Sequence, residues 1–502
     1  MTPPGGGSRG APAPLLLPGQ TCWRVEDASR VALLVDNAAY FATAAAALRG
    51  ARRSILLVAW TLDPRAELEP GGPSLGAVLN AVAEARAELD IRLLVWDASA
   101  LIAAPQGFFP QRAPGRLHPR IRIHLDDRHP WGACHHAKVL VIDDALAFCS
   151  GEDFSVERWD SPEHRDHDPR RRMPGGRLGG PRHAVTAMLD GPAAAALGDF
   201  ARFRWRQATG EAVPRPPAPR ADAWPPDVRP DFRDARIGVV RTLPATDAAA
   251  AVREGEALLL AAIAAAREVL YLENQYFASP AIADALAARL AEPDGPEVIV
   301  ICSPESPSCF DSLTMDPARD VLVGRLRQAD PHGRLRILAP HTSGGEGIVV
   351  HSKILIADDR LLRIGSSNLN GRSMWLDTEC DVALEATGDA GQAWAIAAAR
   401  DALIAHHLGC APRTFAETVR SCGSTAAALD RMASPRLRRI EPATDAAVIE
   451  RALGHGSADP VVLARRLARR RGKGRGVLAV LALLLLAAPL AVLLWNRLRR
   501  RG

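Results

Sequence analysis

Short apolar runs recur along this chain, and most follow a stretch of helical character. In the first half the Ala-rich run Asn37–Gly50 predicts a helix that leads into a strand over Ser54–Trp60. A helix near Leu75–Glu88, a strand at Ile91–Trp96 and a strand at Val139–Ile142 follow. In the second half a helix over Glu256–Arg267 leads into a strand over Val269–Phe277. Then come a helix near Ala281–Leu290, a strand at Glu297–Cys302, a helix near Pro317–Gln328, and strands at Leu335–Ala339 and Ile354–Ala357. Runs that are apolar on both faces are what strands in the middle of a covered sheet require. Their alternation with helices predicts α/β layers.

The two halves have the same layout and the same spacing. Trp60 precedes His136 by 76 residues, and Gln275 precedes His351 by 76. A duplicated lobe explains this more simply than coincidence. A Pro-rich stretch, 211–232, has the composition of an exposed linker and divides a lobe at 21–210 from a second at 233–411. The Pro/Gly-rich residues 1–20 are expected to be disordered, and 412–475 to be a connector with helical pieces and a basic collar.

From Val477 to Trp495 the chain carries no charge for 19 residues, a helix about 28 Å long, close to the apolar thickness of a bilayer. This predicts a transmembrane helix over 476–496 followed by a basic tail at 497–502. Seven Lys and Arg lie within 465–475 before it and four within 497–501 after it, which favours a body on the cytoplasmic side. Leu15–Leu17 is too short an apolar run for a secretory signal. The expectation is a single-pass, C-terminally anchored protein of the bacterial inner (cytoplasmic) membrane, its body facing the cytoplasm.

Charge refines this picture. The formal net charge is +5, but residues 461–502 hold eleven Lys and Arg and no Asp or Glu, so the remainder carries 5 − 11 = −6. The body therefore lacks the basic footprint of a nucleic-acid binder, and no nucleic-acid partner is expected. The eight cysteines form no CxxC pair, which excludes the common thiolate metal motifs and favours reduced thiols. Neither a cofactor nor a metal is expected.

Only three lysines occur against 59 arginines, and two of them share one local pattern, His-x-Lys-x-x-x-x-Asp: His136, Lys138, Asp143 and His351, Lys353, Asp358. A lysine offers a compact point charge with rotatable donors where arginine offers a planar fork. On a strand, His and Lys two residues apart project to the same face, and the Asp falls at the strand's exit, better placed to brace a turn than to touch a substrate.

Two copies of HxKx₄D resemble the hallmark of the phospholipase D superfamily, and the resemblance extends over about 25–409. Gly365–Glu379 (GSSNLNGRSMWLDTE) is similar to that family's GSxNxNxRSM…DxE segment. Ser150–Asp160 (SGEDFSVERWD) resembles the GG-x-D…GRWD segment, and Glu273–Phe277 (ENQYF) the ENQ-F strand, of the eukaryotic-type enzymes. The resemblance implies two similar lobes, each a mostly buried sheet flanked by helices, with one active site at their interface. It further implies a covalent phosphohistidine intermediate resolved by water or another alcohol, without a metal.

By that resemblance His136 is the nucleophile and His351 the general acid, and the near-symmetry leaves the reverse open. Lys138, Lys353 and Asn368 are the candidates for the phosphate oxygens. Glu379 is the expected carboxylate orienting one histidine, and Asp160 or Asp168 the other. Asp153 stands where many members have asparagine, and is expected to pair locally. The leading expectation is a membrane-associated phospholipase D acting on glycerophospholipids, with headgroup exchange as an option. A cardiolipin synthase-type transferase, a nuclease of the superfamily and an inactive membrane scaffold are the alternatives. Oligomeric state is not legible.

Overall fold

The computed structural model describes residues 13–441 apart from 98–112, 131, 218–221, 248 and 308. Its centre is one continuous mixed sheet to which both halves contribute. From one edge inward the first half supplies Arg122–Asp126, Asp90–Trp96, Ser54–Ala59, Val139–Ile142, Leu146–Ser150, Val185–Asp190 and Arg24–Val35. The second half then runs outward in mirrored order as Phe232–Leu243, Glu379–Glu385, Leu361–Gly365, Ile354–Ala357, Val269–Asn274, Glu297–Cys302 and Leu335–Pro340. The duplication expected from the spacing is present to the residue. Ile55 pairs with Ile142 and Leu270 with Ala357, the same register displaced by 215 positions in both partners.

The sheets of the two lobes are joined at a seam. Arg24–Val35 and Phe232–Leu243 pair antiparallel, from Arg24 opposite Val239 to Val31 opposite Phe232, and fuse the two sheets. Side chains alternate across this layer as strand geometry demands. Leu56 and Val58 face a core shared by both lobes, which the helices Gly191–Thr209 and Ala390–Leu408 cover. Ile55, Leu57 and Ala59 face a first-lobe core under Asn37–Gly50 and Leu75–Ala85. A third core packs Glu254–Ala265, Pro280–Ala291 and Cys309–Gln328 against the second half.

Three segments outside the two expected lobes make contacts with them. Within 1–20, Leu15 and Leu16 are buried, and Glu385 accepts the Leu15 backbone N–H at 2.9 Å. In 211–232, Trp224 is buried and donates from Nε1 to the Val228 carbonyl, and Glu211 accepts from Trp205 and Arg122, so much of this stretch lies against the first lobe. Beyond 411, the helices Pro412–Cys422 and Thr425–Arg431 and the strand Leu437–Arg439 belong to the second lobe, the strand extending its sheet beside Leu335–Pro340.

The expected membrane helix is corrected as well. No helix of the described residues is long and apolar enough to cross a membrane, and 476–496 lie outside the described residues. The described residues form an α/β fold. The membrane partner, the anchor and the inner-membrane localisation that rested on that helix are withdrawn.

Asp143 and Asp358 show why the motif ends in aspartate. Each sits at positive φ, 55° and 50°, a conformation that aspartate tolerates better than most residues. The Asp143 carboxylate accepts the backbone N–H groups of Arg52, Arg53 and Ser54 at 2.7–2.8 Å. Asp358 accepts those of Arg267, Glu268 and Val269 at 2.8–2.9 Å. Each therefore locks the turn after a motif strand to the start of its neighbour, well away from the imidazoles. Asp358→Ala is expected to lower the unfolding free energy in urea by about 2 kcal/mol through orphaned amides. Asp358→Asn, which keeps one oxygen acceptor and the tolerance for positive φ, should lose less.

Candidate active site

Both motifs meet at the boundary between the lobes because each leaves its own strand order and pairs with the opposite half. The His136 N–H donates to the Thr378 carbonyl at 2.9 Å, and the His351 N–H donates to the His183 carbonyl at 2.7 Å. Arg182–His183 and Val349–Val350 pair as a short parallel ladder, and His135 bridges Thr378 in the same sense. Gly151 marks how closely the lobes approach. A Cβ there would lie 2.5 Å from the His351 carbonyl oxygen and 2.9 Å from Lys353 Cδ, so no larger residue fits without displacing the motif.

Each imidazole faces a carboxylate from the other lobe, and one of the two is hydrogen-bonded to it. His136 Nδ1 lies 2.9 and 3.0 Å from the two oxygens of Glu379. Ser366 Oγ also donates to Glu379, at 2.5 Å, so this carboxylate is held by two donors. A donating Nδ1–H leaves His136 Nε2 with its lone pair. His351 Nδ1 faces Glu152 Oε1 at 3.3 Å. Glu152 is shared with Arg158 at 3.1 Å and Arg182 at 3.2 Å, and His351 Nδ1 makes no hydrogen bond. The brace on His136 is the tighter one.

Glu152 therefore stands where Asp160 or Asp168 was expected. Asp160 instead accepts from His164 Nδ1 at 2.8 Å and from the Arg182 backbone N–H at 2.8 Å, and Asp168 pairs with Arg170. Neither contacts His136 or His351. The signal for Glu152 was present in the sequence: it lies between Gly151 and Asp153 in the segment that mirrors Gly365–Asn368.

The two lysines are placed alike. Lys138 Nζ donates to the His136 carbonyl and Lys353 Nζ to the His351 carbonyl, each at 2.7 Å, curling back along its own strand. Lys138 also pairs with Asp153 at 3.3 Å, and Asp153 accepts from the Trp60 N–H at 2.9 Å. Asn368 is buried, and its Oδ1 has no hydrogen-bond partner. Such an unpaired group is costly unless a ligand or water completes it. Within the constellation only the imidazoles keep appreciable exposure, 14% for the side chain of His136 and 8% for that of His351, against 0% for Glu379.

Burial dominates the electrostatics. It holds the His136 imidazolium well below the usual histidine range, and the cations of Lys138 and Lys353 add to the effect. Burial does the same to His351, with Lys353, Arg182 and Arg158 adding. Burial also holds Lys353 well below the usual lysine range, against the opposing field of Glu152. Both imidazoles are thus neutral near pH 7 in the free protein, and an anion arriving among these cations would raise their proton affinity.

Fold and site together define a duplicated α/β protein with one composite His/Lys centre at its seam. A family profile described as "Cardiolipin synthase, PLD-like domain" matches residues 259–399. Bovine phospholipase D2 is 31% identical over 135 residues, 26% of this chain and 14% of that protein. Phospholipase D A of Dictyostelium discoideum is 23% identical over 427 residues, 70% of this chain and 32% of that protein. This chain thus matches under a third of the length of these curated relatives. The crystal structure of phosphatidylserine synthase from Haemophilus influenzae Rd KW20 superposes with a TM-score of 0.52 at 14% identity, over 80% of this chain and 95% of that one, a likeness of fold. The chain carries a phospholipase D superfamily domain.

The depressed histidines have a consequence for stability. As pH falls below about 6.5 the unfolded chain takes up protons that His136 and His351 refuse in the fold, so their contribution to stability falls as pH drops from about 6.5 to 5. The loss is at most about 1.4 kcal/mol per pH unit for each group. Urea unfolding of wild type and His351→Gln across this window should give a shallower pH slope for the variant.

Proposed function

We propose that this protein is a phospholipase D-type enzyme that cleaves glycerophospholipids to phosphatidic acid and free headgroup through a phosphohistidine. The observation that carries the reading is the composite centre: each motif histidine faces a carboxylate from the opposite lobe, His136 hydrogen-bonded to Glu379 at 2.9 Å and His351 3.3 Å from Glu152. That arrangement serves a pair of imidazoles working on one substrate, with no evident use in a scaffold.

In this reading His136 Nε2 attacks phosphorus. The N–P bond forms as the P–O bond to the headgroup breaks, and protonated His351 gives its proton to the departing oxygen. Water, giving a proton back to His351, then attacks phosphorus. The N–P bond breaks, phosphatidic acid leaves and His136 is restored. Lys138, Lys353 and Asn368 surround the non-bridging oxygens, where charge builds in the transition state. The phosphodiester anion offsets the cations that add to burial in keeping His351 neutral, so substrate binding itself supports the acid's protonation. The tighter brace on His136 supports its assignment as nucleophile.

Transfer to an alcohol is the second reading, favoured by the profile named for cardiolipin synthase and by the synthase with the similar fold. An alcohol replaces water in the second step with the same residues. Incubation with defined phosphatidylcholine, phosphatidylethanolamine and phosphatidylglycerol in mixed micelles, with and without ethanol or glycerol, separates the outcomes. Phosphatidic acid alone marks hydrolysis, and phosphatidyl-alcohol marks transfer. Absence of any lipid product would overturn both readings. His136→Asn is expected to abolish turnover and phosphorus labelling of the protein.

Lys138→Arg and Lys353→Arg are expected to cost at least about a hundredfold in kcat/KM while the chain still folds. Charge is kept, but a planar fork does not reproduce the single ammonium that each lysine turns back onto its own histidine's carbonyl. Near wild-type rates for both variants would remove the lysines from the mechanism.

A further inference from the structure

A second cluster of chemistry-bearing residues lies at the seam, outside the proposed reaction. Asp36, at the N-terminus of helix Asn37–Gly50, meets His164 and His183 of the same lobe and His406 from the last turn of helix Ala390–Leu408 in the second lobe. Candidate ligand atoms of the four lie within 4.8 Å of one another.

Three of these atoms form a nearly equilateral triangle. His164 Nε2 and His406 Nε2 are 3.1 Å apart. Asp36 Oδ2 lies 3.6 Å from the first and 3.3 Å from the second. Ligand atoms at about 2.0–2.1 Å from a tetrahedral zinc ion stand about 3.3 Å from one another. Asp36 Oδ2 is buried and has no hydrogen-bond partner, although its residue is held at φ 65° and does not cap the helix it precedes. A carboxylate oxygen left without a donor at zero exposure is expensive, and a cation would satisfy it.

The surroundings prepare these groups as ligands. His164 Nδ1 donates to Asp160 at 2.8 Å, which directs the Nε2 lone pair inward, and His183 Nδ1 holds the other oxygen of Asp36 at 2.8 Å. Carboxylate partners behind ligating histidines are the usual outer support of such sites. His183 continues to Glu273 at 2.9 Å, and Glu273 to His407 at 3.2 Å.

We propose that Asp36 Oδ2, His164 Nε2 and His406 Nε2 bind one divalent transition ion of the zinc class, its fourth position filled by water. The ion is structural. It ties the second-lobe helix to the first lobe and, through His183, whose carbonyl accepts the His351 N–H, steadies one of the two motif histidines. This does not depend on the proposed reaction, because metal content and stability are read without substrate.

The test uses untagged full-length protein passed through gel filtration. Elemental analysis should find about one zinc per chain after zinc loading and removal of excess. Cobalt(II) in its place should give the intense visible absorption of a four-coordinate ion. Chelation with EDTA should lower the Tm, and zinc should restore it. Asp36→Asn and His406→Ala should each weaken zinc affinity by about tenfold or more, whereas His129→Ala, outside the cluster, should not. Failure of the wild-type protein to retain zinc or cobalt would overturn the site, reducing the cluster to a buried hydrogen-bonded network. So would unchanged zinc affinity in both variants.

Discussion

The antiparallel pairing of Arg24–Val35 with Phe232–Leu243 is the constraint on which the rest of this molecule depends. Two copies of one lobe could have packed face to face through side chains alone. Instead their sheets share backbone hydrogen bonds, which fix the pseudo-two-fold relation to the accuracy of a register. Everything at the centre inherits that accuracy: the crossing bonds from His136 to Thr378 and from His351 to His183, and the carboxylates that reach across to the imidazoles.

Within this near-symmetry the differences carry the chemistry. Asp143 and Asp358 do the same work in each copy, down to the three amides each accepts. Asp153 and Asn368 occupy equivalent positions with opposite consequences. The aspartate neutralises Lys138 and binds the end of a strand, while the asparagine keeps an unpaired oxygen. The braces differ too. Glu379 serves His136 with little competition, whereas Glu152 divides itself between His351 and two arginines. An even-handed pair of histidines would have no reason to prefer one role over the other, and these unequal surroundings supply one.

Much of the fold was legible because buried strands announce themselves as short apolar runs, and the 76-residue interval appears twice. The motif histidines, lysines and aspartates were legible because their spacing repeats. The seam was not: Arg24–Val35 and Phe232–Leu243 are absent from the expected strands, and nothing local says that they pair across more than 200 residues. Asp160 was misplaced for a related reason: a carboxylate close in sequence to a motif looks like a natural partner for it, yet its backbone directs it to His164 and Arg182. The cluster of Asp36, His164, His183 and His406 was invisible because its members come from four separate segments that only the tertiary fold assembles. The uncharged run near the C-terminus shows the opposite error, where a strong local pattern drew a conclusion about location that no described helix supports.

The unbroken sheet also bears on motion. Many two-lobed proteins admit a ligand by swinging their halves apart about a few flexible residues. Here such a swing would shear a strand ladder that runs from Arg24 to Val31, together with the core packed across it. Opening the lobes as two rigid bodies would break that backbone pairing, so the shared sheet favours keeping the two imidazoles in one fixed alignment.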